Sequence, residues 1–228
     1  MLSNKKKKAI KLSARKRIGA TAVVAVLAAG TYFMVSFGKN KLFPVPAYQV
    51  LRVIDGDTFE TTDHQRIRVA STQAPELDLC GWKEAKTELE KLIGDKQVYL
   101  KVIYRDPYQR LVSLVYADGR FVNEEMLSGG YAYYLRPVQG EIGETLKIAA
   151  DKARQKKACI FSDSCTQMVN NEKPACNVKG NNRNGNIYYV LKCGVYDNVT
   201  VQLYLGDQWF CSEKEAVKAG FRKPEQCP

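Results

Sequence analysis

The chain has 228 residues and a formal net charge of +11, from 35 lysines and arginines against 24 acidic residues. Residues 1–17 hold eight of the basic residues and no acidic one, which leaves 27 of the 35 against all 24 acidic residues. Overall charge therefore does not identify a nucleic-acid-binding domain, because most of the excess lies in a terminal tail. The length and the 45% apolar content suffice for one compact domain plus an extra module.

An apolar segment without charged side chains follows the basic tail, over residues 18–37. A helix of this length rises about 30 Å, which matches the hydrocarbon core of a bilayer. The sequence predicts a single-pass membrane protein with a cytoplasmic tail and the remaining chain outside the cytoplasm. A cleaved signal peptide, which would give a secreted protein, is the alternative, since Val-Leu-Ala-Ala-Gly resembles a processing site. The apolar run continues beyond that site, which favours an uncleaved anchor, and residues 38–46 are predicted to be a linker.

Short strands and helices alternate after the linker. Three runs rich in branched and aromatic residues predict a strand meander, whose first turn, Asp55-Gly56, is typical of a type I′ hairpin. Helical spacing of apolar residues predicts helices over 83–94, 122–128 and 141–157, with further strands at 97–104 and 111–116. This order predicts a mainly β, α+β fold, a five-stranded OB-type Greek-key barrel with packed helices. An α+β sandwich would give a similar pattern.

The predicted domain boundaries divide the rest of the chain into a barrel domain over 47–160, a linker over 161–173 and a small module over 174–228. The module contains a turn-rich segment at 180–186 and two strand-like runs. Ser212 and Glu215 form a capping-box pattern for a short helix, and Gly220 is placed to end it.

Cysteines distinguish the end of the chain from the barrel. Six of the seven lie beyond residue 158. A disulfide-stabilised module is favoured over a zinc site, because no Cys-x-x-C occurs and His64 is the only histidine. A small module outside the cytoplasm would also gain stability from disulfides. The pairing stays open, and Cys80, distant from the others, is predicted to be the unpaired thiol. The others are Cys159, Cys165, Cys176, Cys193, Cys211 and Cys227.

Several charged residues lie in or beside the predicted turns of the barrel. Each alone has an ordinary structural interpretation, as a turn residue, an exposed charge or half of an ion pair. Together they supply carboxylates that can hold a hard cation and arginines that can bind a phosphate. Phosphodiester cleavage needs an activated water, a Lewis acid and cationic groups that neutralise developing negative charge. The residues are Asp55, Asp57, Arg68, Glu76, Asp106, Tyr108 and Arg110.

Four motifs in order carry a resemblance to a known family: Val-Ile-Asp-Gly-Asp-Thr-Phe-Glu, Arg-Val-Ala-Ser-Thr-Gln-Ala-Pro-Glu, Asp-Pro-Tyr-Gln-Arg, and the segment from Val115 to Ala132. Over residues 47–157 the chain resembles the staphylococcal (micrococcal) nuclease family. The resemblance implies a five-stranded OB barrel and a calcium-dependent phosphodiesterase, an endonuclease that acts on DNA and RNA.

The resemblance implies a metal site in the first motif. Asp57 matches the family's calcium-ligating aspartate, Asp55 is the neighbouring carboxylate, and Thr58 lies beside the metal.

The same resemblance implies the catalytic groups. Arg68 matches the first phosphate-binding arginine, Glu76 the glutamate proposed as base or water-orienting group, and Arg110 the second arginine, which stabilises the transition state. Tyr108, in the turn opened by Asp106, matches a tyrosine near the substrate phosphate, so these two are the predicted substrate-binding residues.

Two positions depart from the family pattern. Gln73 stands where the family has a metal-ligand aspartate, three residues before the glutamate, and Gln109 replaces a glycine. A glutamine carbonyl can coordinate calcium but brings no charge, so the predicted calcium site is weakened.

Three functions follow as hypotheses. The first is a membrane-anchored nuclease that hydrolyses DNA or RNA outside the cytoplasm. The alternative, motivated by Gln73, is a nuclease-like nucleic-acid-binding protein with weak or absent catalysis. In the third, the terminal module mediates surface adhesion and the barrel is a scaffold. The module resembles a small domain found after such nuclease domains in some bacterial proteins, and its role does not follow from that resemblance.

Overall fold

The computed structural model describes residues 47–183 and 185–228, which belong to one compact unit. The predicted basic tail, membrane span at 18–37 and linker at 38–46 lie outside these residues. Within the described ranges, no helix combines the length and the apolar character needed to cross a membrane.

Five strands close into a barrel. Their bounds are β1 Ala47–Val53, β2 Thr58–Thr61, β3 Arg66–Val69, β5 Gln97–Arg105 and β6 Leu111–Ala117, with a short β4 at Thr72–Gln73 between β3 and β5. The antiparallel order is β3-β2-β1-β5-β6, and a parallel pairing of β3 with β6 joins the two ends. Two more short strands, β7 at Arg120–Phe121 and β8 at Tyr133–Tyr134, pair with β6 and β4 respectively. The predicted five-stranded OB-type barrel is therefore confirmed.

Three helices pack against the barrel: α1 Trp82–Ile93, α2 Val122–Ser128 and α3 Glu141–Gln155. Each bound lies within two residues of the bound predicted from apolar spacing. The helices bury their apolar faces with the inner faces of the strands in one continuous core, since burying such surface is the main favourable contribution to folding. Fully buried members include Phe59, Leu89, Met126 and Leu146.

The turn at Asp55-Gly56 differs from the predicted type I′ hairpin. Neither residue has a positive φ, which both central residues of that turn require. Glycine is required here by close packing, because a Cβ on Gly56 would lie 2.6 Å from the Cβ atoms of both Ala74 and Ala85. The tertiary approach of α1 and the segment after β4 therefore selects this glycine.

The last part of the chain forms small sheets and a short helix. Its elements are β9 Thr166–Gln167, β10 Val178–Asn181, β11 Ile187–Tyr189, β12 Val201–Gln202, β13 Gln208–Phe210 and α4 Glu213–Lys218. β11, β10 and β13 form a three-stranded sheet, and β9 pairs with β12. The Ser212 hydroxyl accepts the Glu215 N–H, which is one half of the predicted capping box, while the Glu215 carboxylate accepts the N–H of Cys211. The backbone at Gly220 is left-handed beyond the end of α4.

The second strand-like run of this module is shorter than predicted. Residues after Gln202 turn into a 3-10 helix, Leu203–Leu205, instead of continuing the strand. The reason is the buried carboxylate of Asp207, which accepts the Gln202 N–H at 2.9 Å and bends the chain back.

Disulfides join Cys80 to Cys165, Cys176 to Cys211 and Cys193 to Cys227. The prediction of disulfides is confirmed, but the prediction that Cys80 is the unpaired cysteine is wrong. Cys159 holds the free thiol. Cys80 ends the loop that precedes α1, and folding brings that loop to the same apolar cluster as Cys165, which distance along the sequence does not reveal.

Candidate active site

A cleft of about 500 Å³ opens on one side of the barrel. It lies where β3, the segment after β4, the turn between β5 and β6 and the segment after β8 converge. Seven of the residues that the sequence singled out line it: Asp55, Asp57, Arg68, Gln73, Glu76, Tyr108 and Arg110. Thr58 and Asp106 do not line the cleft and lie directly behind Asp57 and Arg110.

Asp57 is held rigidly at the floor of the cleft and is only 5% exposed. One carboxylate oxygen accepts the Thr58 hydroxyl at 3.0 Å, and the other accepts the Ala74 N–H at 2.8 Å. The Asp57 N–H donates to Asp55 Oδ1 at 3.0 Å. Burial raises the pKa of Asp57 to about 7, with Asp55 adding to the rise and Arg68 opposing it. The negative charge at Asp57 is therefore only partly compensated by its neighbours.

Arg68 reaches into the cleft from β3 and connects Asp57 to the next loop. Its Nη1 lies 3.2 Å from Asp57 Oδ1, and its Nη2 donates to Gln73 Oε1 at 2.8 Å. Gln73 Nε2 in turn donates to Glu76 Oε1 at 3.1 Å. One polar chain thus runs from Asp57 through Arg68 and Gln73 to the exposed Glu76.

The turn between β5 and β6 places Arg110 in the lining of the same cleft. The buried Asp106 accepts the N–H groups of Tyr108 and Arg110, both at 2.9 Å, and Arg110 Nε at 2.8 Å. Burial alone would raise the pKa of Asp106, but these hydrogen bonds and the Arg110 charge hold it below its usual value. Gln109 adopts a φ of 64°, where the family's glycine would be less strained. The geometry makes Asp106 a support for Arg110; its predicted substrate contact stays a prediction.

Tyr108 stands at the mouth of the cleft and is 78% exposed. Its ring lies 5.4 Å from the guanidinium carbon of Arg110, a cation–π arrangement. The ring can therefore orient the arginine while one face stays open to a ligand.

Several cleft residues were missed by the sequence. Ile103, Tyr104 and Leu135 form an apolar part of the lining. Arg136 adds a third guanidinium group, and its backbone has a φ of 52°. A signal for Arg136 was present in its position before Pro137, just beyond β8. No motif marks the apolar residues, because the sequence of an exposed strand end does not differ from that of a buried strand.

The charges that line the cleft balance. Three carboxylates, of Asp55, Asp57 and Glu76, face three guanidinium groups, of Arg68, Arg110 and Arg136. An aspartate at position 73 would add one negative charge and with it a stronger demand for a cation.

The donor chemistry still fits a hard cation. The carboxylates of Asp55 and Asp57 and the amide oxygen of Gln73 face the same cleft, and Asp57 carries a buried charge that a cation would stabilise. Within the described ranges, no group of three His, Cys, Asp or Glu side chains is placed to hold a metal ion. A cation here would therefore also need the amide oxygen, water or substrate as ligands.

Comparison with known proteins places this geometry in a family. Residues 66–163 match the family model described as staphylococcal nuclease homologue. The matched region contains Arg68, Gln73, Glu76 and Arg110 and begins after Asp57. The module beyond residue 173 lies outside it.

Individual relatives each match about half of the chain. An "uncharacterized endonuclease" of Escherichia coli O157:H7 is 33% identical over 120 residues, which cover 51% of this chain and 77% of that protein. A staphylococcal-like nuclease of Arabidopsis thaliana is 34% identical over 121 residues, 53% of this chain and 35% of the relative. An endonuclease of Saprolegnia parasitica is 35% identical over 120 residues, 47% of this chain and 56% of the relative.

Proposed function

The chain belongs to the family of staphylococcal nuclease homologues and is a phosphodiesterase, and we propose that it hydrolyses DNA or RNA in the cleft that holds Arg68, Glu76 and Arg110. The single observation that carries this proposal is that a guanidinium group on β3, another in the turn between β5 and β6, a carboxylate on a loop and a buried aspartate line one cavity. These are the groups that phosphodiester hydrolysis requires.

Arg68 and Arg110 bind the non-bridging oxygens of the scissile phosphate. Arg68 is fixed by Asp57 and Gln73, and Arg110 by Asp106, so neither has to be reoriented when charge develops. Such fixed donors stabilise the added negative charge of the transition state more than that of the ground state.

Glu76 accepts the proton of the attacking water. Its Oε1 is held by Gln73 Nε2, which leaves Oε2 to take that proton. As the water oxygen bonds to phosphorus, the bond from phosphorus to the leaving sugar oxygen breaks, and that oxygen takes a proton from solvent.

Asp57, Asp55 and Gln73 are the residues that would hold calcium, with Thr58 orienting the Asp57 carboxylate. When bound, the ion supplies Lewis acid stabilisation of a phosphate oxygen. Because Gln73 is neutral and its oxygen is hydrogen-bonded to Arg68, we expect calcium affinity to be lower than with aspartate there.

The balanced charge of the cleft favours a second candidate, a nucleic-acid-binding protein with weak or absent catalysis. Without a bound cation, the lining already carries as many positive as negative groups, so a phosphate can enter without one. This candidate is favoured if the protein binds DNA without cutting it and Gln73→Asp creates activity.

We place the cleft outside the cytoplasm, in a protein anchored by residues 18–37. The support is the uncharged length of that segment, with its basic flank, and the three disulfides of the described chain, because disulfides persist in oxidising compartments. Release by cleavage of the segment would give a secreted nuclease in the same compartment.

The test is degradation of single-stranded DNA by the full-length protein, with calcium and then with excess EDTA. We expect calcium-dependent cleavage, and Arg68→Ala or Arg110→Ala should lower kcat by about 10²- to 10³-fold, because each removes a fixed donor to the developing charge. Arg120→Ala is the matched control, since Arg120 pairs with Glu125 on the surface and does not line the cleft. Equal rates for all three variants would contradict the assignment of this cleft.

A further inference from the structure

We propose that Arg183, in the turn after β10, binds a backbone phosphate of the substrate, so that a nucleic acid strand bound in the cleft continues onto the C-terminal module. This rests on the proposed function of the cleft and adds a substrate contact outside the region that the family model matches. The strand would pass over the loop that carries Glu76 and reach the turn of the module beside it.

The turn that carries Arg183 is held in place by the residue before it. The Asn182 N–H donates to Asp207 Oδ1 at 2.8 Å, and Asn182 Nδ2 donates to the Leu205 carbonyl at 3.1 Å. The Arg183 N–H donates to Asn181 Oδ1 at 3.2 Å. The Arg183 backbone is therefore fixed, while its side chain is exposed.

This turn lies next to the loop that carries Glu76. A Cβ on Gly206 would lie 2.8 Å from Asn182 Nδ2 and 4.0 Å from Leu79 Cδ2, so the turn and the loop meet at this glycine. The Leu79 N–H donates to the Glu76 carbonyl at 3.1 Å. Leu79 therefore belongs to the same tight turn as Glu76.

A second contact joins the module to β8. The rings of Tyr204 in the module and Tyr133 in β8 are 5.9 Å apart, and Tyr133 is the strand partner of Gln73. The module therefore contacts both the loop that carries Glu76 and the strand β8 that pairs with Gln73.

Electrostatics place the Arg183 charge near the site itself. Burial raises the pKa of the Tyr133 phenol, Tyr204 and the carboxylates of Asp57 and Glu76 raise it further, and Arg183 lowers it. The guanidinium and the two carboxylates therefore act on one hydroxyl group. Arg183 also lowers the pKa of the buried Asp207, but within the described ranges no carboxylate lies within 4.0 Å of its guanidinium, which leaves its N–H groups open to a phosphate.

The Cys80–Cys165 disulfide links the loop that carries Glu76 to the segment that contacts the module. Cys80 ends the loop that carries Glu76, and the Cys165 carbonyl accepts the Leu203 N–H at 2.8 Å, immediately before Tyr204. Because this link is covalent, the distance between Arg183 and the cleft is restricted before substrate arrives. A contact that is positioned in advance loses less conformational freedom on binding.

A phosphate away from the scissile bond is bound equally in the ground state and in the transition state. Removing such a contact raises KM and leaves kcat unchanged. It also lowers the dependence of single-strand binding on salt, by about 0.7 in the slope of log K against log salt for each phosphate neutralised. A purely structural residue would not change that slope.

The experiment measures binding of a labelled single strand of about 20 nucleotides to the full-length protein, by fluorescence anisotropy at about 50 to 200 mM salt. Titrations are run in EDTA, where the strand stays intact, and repeated with calcium. We expect Arg183→Ala to reduce the salt slope by about 0.7 and Arg183→Lys to restore it. In cleavage assays, Arg183→Ala should raise KM for the oligonucleotide and leave kcat unchanged. Hydrolysis of a nitrophenyl ester of a single nucleotide, which is too short to reach the module, should be unaffected.

Lys218→Ala is the matched control, because Lys218 is an exposed charge at the end of α4 in the same module. A salt slope for Arg183→Ala equal to that of Lys218→Ala would overturn the proposal. Binding without cleavage by the wild-type protein would overturn the proposed catalysis alone, since the slope still tests Arg183. A wild-type protein that binds no strand in either buffer would overturn both.

Discussion

The barrel and the C-terminal module are stabilised in different ways, although they belong to one compact unit. The barrel has a continuous apolar core shared by its strands and three helices, and none of the three disulfides joins two residues of the barrel itself. The module has small separate clusters, one around Phe210 and Phe221 and another that contains Cys193 and Cys227. Apolar burial is therefore sufficient in the larger region, while the smaller one adds covalent links.

Buried charges occur in both regions, at Asp57 and Asp106 in the barrel and at Lys179 and Asp207 in the module. Lys179 in β10 is 1% exposed, and its ammonium donates to the carbonyls of Tyr196 and Val199 while it lies 4.2 Å from the Tyr196 ring centroid. Asp207 is likewise buried and accepts backbone N–H groups. The module thus fixes its loops by satisfying buried charges, which specify a conformation more than they add stability.

The largest expected effect tests the barrel core. Phe59→Ala should destabilise the protein by about 3 to 5 kcal/mol, because it leaves a cavity in fully packed surroundings. Urea unfolding can be followed separately in the two regions, since the two tryptophans are Trp82 in α1 and Trp209 in β13 and each can be replaced by Phe. The loss should appear in the Trp82 signal.

Leu51→Ala is the control for this experiment, since Leu51 lies on β1 with its side chain exposed. An equal loss from both substitutions would contradict a barrel that depends on its apolar core.

The next effect tests the module. Replacing Cys193 and Cys227 together with serine should cost roughly 2 to 4 kcal/mol, because the unfolded chain regains the freedom of the closed loop. The Trp209 transition should move to lower urea by more than the Trp82 transition. Cys159→Ser removes a thiol without removing a bridge and should have little effect. Coincident shifts of both tryptophan signals would show that the two regions unfold as one.

The smallest expected effect concerns how the stability contributions of Asp106 and Asp207 change with pH, which we expect to differ in sign. Asp106 has a folded-state pKa below its usual 3.8, so its stabilising contribution is complete above that value and is lost as pH falls through the folded pKa. Burial raises the pKa of Asp207, although N–H groups of Asn182 and Gln202 oppose it, so its penalty disappears as pH falls through the raised pKa. Lowering the pH should therefore remove the stabilising contribution of Asp106 and relieve the destabilising contribution of Asp207.

Asparagine variants isolate each carboxylate, because asparagine does not titrate. We expect the stability advantage of wild type over Asp106→Asn to shrink below about pH 4, and its advantage over Asp207→Asn to grow on acidification. Urea midpoints of wild type and both variants between about pH 3 and 7 provide the measurement. Differences that change with the same sign would contradict the opposite environments of these two groups.

Much of the barrel follows from the sequence. Alternating strands and the apolar spacing of Leu89 and Leu146 predict its elements because local periodicity and burial agree there. The candidate site was predicted as a set of residues, since its motifs lie in turns that the fold brings together. Its internal connections were not predicted, because hydrogen bonds from Arg68 to Gln73 and from Gln73 to Glu76 depend on side-chain geometry.

Other features required tertiary contacts that no local pattern encodes. Gly56 is selected by Ala74 and Ala85, and Cys80 finds a partner 85 residues away. The position of Arg183 beside the cleft likewise depends on how the module packs.

The bridge between Cys80 and Cys165 also imposes an order in time on the maturing chain. Cys80 precedes α1, and its partner follows α3, so a ribosome must complete the whole barrel before the second sulfur exists. An oxidant must then reach both thiols, which reducing compartments prevent. The segment that bears Glu76 can therefore be joined to Cys165 only after the barrel has been synthesised and only where an oxidant is present.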